Sequence, residues 1–112
     1  MMMTKTEVLT RIERLSADRL EVCVRQAWVR PYRGEAGPVF DETDVARLNL
    51  IVELTEDMAV NEEAVPVILG LLDEVGSLRK RARAIDAALN AEGEAVCDAV
   101  LARLQQFEQT GR

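Results

Sequence analysis

Glu62 and Glu63 are adjacent carboxylates, the raw material of acid–base catalysis, and they stand where the surrounding residues predict a helix start. Neighbours in a helix point in different directions, so the two do not face one substrate. No histidine is present to move protons near neutral pH. The two thiols, Cys23 and Cys97, sit in the apolar runs VCV and AVCDAV. A reactive thiolate needs a cationic or imidazole neighbour, and two cysteines without histidine cannot make a tetrahedral zinc site in one chain. Both read as small buried hydrophobes. No glycine-rich phosphate loop follows a strand. The sequence therefore predicts no enzyme, no metal and no cofactor, and leaves its charges to recognition.

Those charges are unevenly placed. Residues 1–33 hold seven basic and four acidic side chains, so 7 − 4 = +3. Residues 34–77 hold Arg47 alone against eleven acids, so 1 − 11 = −10. Residues 78–112 hold six basic and five acidic side chains, so +1, and the total is −6. Two recognition chemistries follow. Arg19, Arg25, Arg30 and Arg33 could meet phosphates. The acidic middle would repel a phosphate backbone and attract a basic protein surface. Within it, Glu53, Glu56, Asp57, Glu62 and Glu63 are the candidate partner contacts.

The elements that must position these residues are mostly helices. Val8, Leu9, Ile12 and Leu15 recur at helical spacing over Thr6–Arg14. Ser16 reads as a cap before a second helix, Ala17–Ala27, whose inward stripe is Leu20, Cys23, Val24 and Ala27. Two short helices across a tight turn make a helix-turn-helix. Pro31 ends the second, Gly34 and Gly37 punctuate a small wing, and Val39–Phe40 reads as a returning strand. Asp41 caps a third helix expected to reach Asp57. Asn61 caps a fourth, long helix to about Asn90, in which Pro66 either starts the regular part or kinks it. A turn at Glu92-Gly93-Glu94 precedes a last helix over Ala95–Phe107, with a frayed tail at 109–112. Residues 1–58 are read as a winged helix-turn-helix domain and 59–112 as a helical packing region. No apolar run approaches bilayer length, and no export signal is read at the N-terminus, so a cytoplasmic location away from membranes is expected.

In the long helix Ile68, Leu71, Val75, Leu78, Ala82, Ile85 and Leu89 are spaced alternately by three and four residues. That is a heptad seam. It packs either on the chain's own helices or on a second copy. So long a helix has few internal partners, and a homodimer is the expectation.

Taken in order, LEVCV at 20–24, AWVRP at 27–31, FDETDVARL at 40–48, LTEDMAVN at 54–61 and VPVILGLLD at 65–73 resemble the MerR-like winged helix-turn-helix proteins. Within them the chain is similar to the CbpM-type chaperone modulators, over roughly Val8 to Leu89. The resemblance implies a mainly helical fold with a minimal β wing, a long dimerisation helix and a final short helix. It also implies a non-enzymatic regulator that binds the J domain of a DnaJ-type co-chaperone and competes with the DnaK-type chaperone. The DNA-binding branch of the family carries an arginine and two tyrosines in the second helix, where this chain has Glu21, Val22 and Cys23. The branch's Gly-Tyr-Arg wing is replaced by GEAGPVF at 34–40. The alternative implied is a dimeric DNA-binding transcriptional regulator using Arg19, Arg25, Arg30 and Arg33.

Overall fold

Short polar side chains decide where each helix of the first half begins. In the computed structural model of the protein, which describes residues 1–111, helix α1 spans Lys5–Arg11 behind a reciprocal cap. The Glu7 amide donates to Thr4 Oγ1 at 3.2 Å and the Thr4 amide donates to Glu7 Oε1 at 3.0 Å. Helix α2, Ala17–Arg25, starts on Ser16, whose hydroxyl accepts from the Arg19 amide. Helix α3, Glu42–Val52, repeats the reciprocal device with Asp41 and Asp44. Asn61 accepts from the Ala64 amide just ahead of α4, Val65–Ala91. Pro66 is the second residue of α4, where a missing N–H costs nothing, so it starts the helix and does not kink it. Helix α5 spans Glu94–Thr110. The tail expected to fray from residue 109 is helical through Thr110, and Arg112 lies outside the described residues.

The wing is a hairpin of β2, Tyr32–Gly34, and β3, Gly37–Phe40, closed so that Gly34 pairs with Gly37. A side chain at Gly34 would meet the Gly37 carbonyl at 2.8 Å, and Gly37 has φ +135°, so both positions require glycine. A third strand, β1 at Met3–Thr4, pairs antiparallel with β3 and gives the sheet order β1-β3-β2. Nothing in MMMTK announces that strand. It forms because Met3 becomes buried opposite Phe40.

Helix α2 closes with a Schellman motif. The Trp28 amide donates to the Cys23 carbonyl and the Ala27 amide to that of Val24. Ala27 itself sits at φ +60° and is exposed, as is Val24, so neither belongs to the inward stripe that periodicity suggested. Leu20 and Cys23 do face inward, joined by the partly buried Val22.

The helix expected to run to Asp57 is α-helical only to Val52 and widens to a π-helical turn over Glu53–Asp57. Thr55 Oγ1 donates to the Ile51 carbonyl at 2.8 Å, competing for the acceptor a regular turn would use. This segment too ends on a left-handed alanine, Ala59 at φ +53°, with the Val60 amide donating to the Leu54 carbonyl. Alanine at φ near +55° carries a steric cost that glycine lacks. Ala59→Gly is expected to stabilise the protein by about 0.5–1 kcal/mol, read from the urea midpoint. A destabilisation of that size would mean the unfolded-state entropy of glycine outweighs the relief.

The chain divides into two compact units, Met1–Gly70 and a second beginning at Leu71. The first holds the core, in which Val8, Leu20, Cys23, Phe40, Leu48 and Ile51 pack with Val65 and Leu69 of α4. In the second, no residue between Leu71 and Gly111 is buried. Among the described residues no helix is long and apolar enough to cross a membrane.

Candidate functional site

Cys23 lies in the core, fully buried on the inner face of the last turn of α2. Burial pushes its thiol up to about 11, so it is neutral and unreactive near pH 7. It also occupies one of the positions where a DNA-reading helix would present a tyrosine, and it presents nothing. Glu21 beside it is exposed, placing a negative charge on the outer face of the same helix.

The arginines of the helix-turn-helix fall into two groups. Arg14 makes a two-point contact with Asp57, at 3.1 and 2.7 Å, although the two are far apart in sequence. Arg19 reaches Glu62 at 3.0 Å. Arg25, Arg30 and Arg33 are exposed and form no ion pair among the described residues. A third cross-link, Arg11 to Glu42 at 2.8 Å, ties α1 to the first turn of α3. Side chains this exposed add little to stability. Their effect is on charge, since each holds one arginine against a carboxylate of its own chain.

The five candidate contact acids divide accordingly. Asp57 and Glu62 are occupied by arginines, whereas Glu53, Glu56 and Glu63 are exposed and make no ion pair among the described residues. Glu62 and Glu63 also edge a groove of about 250 Å³ lined by Gln26, Trp28 and Pro66. The groove brings the end of the helix-turn-helix and the start of α4 together, which sequence spacing alone does not reveal. Of the expected seam, Ile68 and Leu89 are half-buried, whereas Leu71, Val75, Leu78, Ala82 and Ile85 are exposed.

Hydrogen bonds hold four carboxylates below their ordinary range. The Thr4 amide does so for Glu7, the Asp44 amide for Asp41, the Arg11 guanidinium for Glu42 and the Arg14 guanidinium for Asp57. Each folded value lies below the unfolded one. These contributions are therefore complete at neutral pH and are lost as pH falls through the depressed values. Asp44 runs the other way, because burial raises it and protonation favours the fold. Four opposing one, melting temperature is expected to hold from pH 7 to about 4 and then drop. A melting temperature that rises on acidification below pH 4 would show that relief at Asp44 outweighs the other four.

A family model described as MerR HTH family regulatory protein matches residues 3–87. No curated protein and no solved structure matches the chain.

Proposed function

The chain belongs to the MerR helix-turn-helix family of regulatory proteins, and on that premise we propose that it is a non-enzymatic modulator of a DnaJ-type co-chaperone. In this reading it binds the J domain through the acidic edge of its winged helix-turn-helix, as the CbpM-type proteins it resembles do. Binding covers the basic helix with which a J domain engages a DnaK-type chaperone, so the modulator inhibits by competition. It works in the cytoplasm as a homodimer, paired along the seam from Ile68 to Leu89.

The observation that carries this reading is the capture of Arg14 and Arg19 by Asp57 and Glu62. A helix that reads DNA offers its arginines to phosphate; here Arg19 of α2 already faces Glu62, Arg14 in the turn before it already faces Asp57, Cys23 is buried, and Glu21 repels. Beside them Glu53, Glu56 and Glu63 remain open to a basic partner. The groove at Gln26, Trp28 and Pro66 has room for the stem of a lysine or arginine whose head meets Glu63.

Arg25, Arg30 and Arg33 favour a second reading, a dimeric DNA-binding regulator, because they stand exposed on the end of α2 and the wing. Competition separates the two. With a fluorescent J domain bound at physiological salt, excess promoter duplex is expected to leave the anisotropy unchanged. Displacement by duplex, together with sequence-selective and salt-dependent DNA binding, would favour the regulator.

A further inference from the structure

Helix α5 lies wholly beyond residues 3–87, the stretch that matches the family. It is a helix of 17 residues with none buried. Cys97, Val100, Leu104 and Phe107 are spaced by 3, 4 and 3, a heptad seam, and Val96 and Leu101 widen it on both sides. Val96, Val100, Leu101, Leu104 and Phe107 are 38–65% exposed. A stripe of that width suits a helix packed in a bundle, where a two-stranded coil needs only the narrow seam.

We propose that α5 is half of the surface on which a second copy of this chain docks. The part of α4 from Leu71 onward and α5 from each of two copies form a four-helix bundle. The inference rests on the pairing of two copies proposed above and adds α5 to it.

Three observations choose this occupant. The first is area. Ten large apolar side chains in α4 and α5 beyond Gly70 are exposed. At about half exposure each, they present on the order of 800 Å² per chain, the scale of one side of a stable interface. Helices in proteins draw most of their stability from packing an amphipathic face, and in this unit that face is uncovered. The second is continuity: α5 and the part of α4 from Leu71 onward, which carries most of the seam, belong to one compact unit. The third is charge. The rest of α5 carries Glu94, Asp98 and Glu108 against Arg103. That acidic balance is wrong for an anionic lipid surface, which draws basic amphipathic helices.

The test is sedimentation of the full chain and its variants from about 0.1 to 100 μM. The unaltered protein is expected at twice the 12.5 kDa chain mass. Leu104→Glu with Phe107→Glu should raise the dimer dissociation constant by more than about 100-fold. Gln105→Glu, outside the stripe, should leave it unchanged. Fluorescence of Trp28, buried in the first unit, verifies that this unit stays folded in each variant. Hydrogen exchange supplies a readout independent of substitution: α5 amides should be protected at 100 μM and lose protection on dilution. A dimer whose dissociation constant moves less than about threefold in the double variant removes α5 from the interface and leaves the pairing of copies intact. Protection of α5 that does not change with concentration also overturns the inference. A monomer at every concentration sinks both this inference and the homodimer.

Discussion

Phe40→Ala is expected to destabilise the first unit by about 3–5 kcal/mol, at the upper end of what a single core truncation costs. Phe40 is 1% exposed and is the largest fully buried side chain. Its place in the chain amplifies the loss. Its backbone pairs with Met3 across β1 and β3, and the next residue is Asp41, the cap of α3. One ring therefore anchors the N-terminal strand, the wing and the start of the third helix. Stabilities of small domains run at about 0.05–0.15 kcal/mol per residue, so a loss of this size takes most of what a unit of Met1–Gly70 holds. Urea unfolding followed by Trp28 fluorescence measures it. A cost below about 1 kcal/mol would mean that the sheet and α3 hold without the ring.

Glu56→Lys with Glu63→Lys is expected to weaken J-domain binding by about 10–100-fold while leaving the melting temperature within a few degrees of the parent. Both side chains are exposed and neither forms an ion pair among the described residues, so the only interaction lost within the chain is the long-range attraction of Glu56 for Arg14, which solvent screens. The local charge changes by four units per chain, enough to reverse long-range attraction to a basic helix. Most of the loss should fall on the association rate, and the salt dependence should flatten. Calorimetry at two salt concentrations reads the affinity part directly. Equal affinity for parent and variant would move the contact surface away from Glu56 and Glu63.

The helix-turn-helix and the long helix were legible because their signals are local. Ser16, Asp41 and Asn61 are caps by chemistry, and the periodic apolar residues of α1 and α3 face the core as their spacing requires. Three features resisted because their causes are not local. Strand β1 depends on Phe40 being opposite Met3. The π turn depends on a threonine hydroxyl choosing a backbone acceptor. The left-handed Ala27 and Ala59 hold positions where glycine would have announced the helix end. At the candidate site, the sequence exposed the acidic stretch and the missing DNA-reading residues. It could not pair Arg14 with Asp57 or Arg19 with Glu62, since each pair joins segments brought together only by the tertiary fold.

The central claim is that this helix-turn-helix meets a basic protein surface in place of nucleic acid. The most direct measurement is the ATPase rate of a DnaK-type chaperone stimulated by its J-domain co-chaperone, with increasing amounts of this protein added. The account predicts that stimulation falls toward the basal rate and that more co-chaperone restores it. Stimulation unchanged at an excess of this protein, alongside tight sequence-selective binding of duplex through Arg25, Arg30 and Arg33, would contradict it.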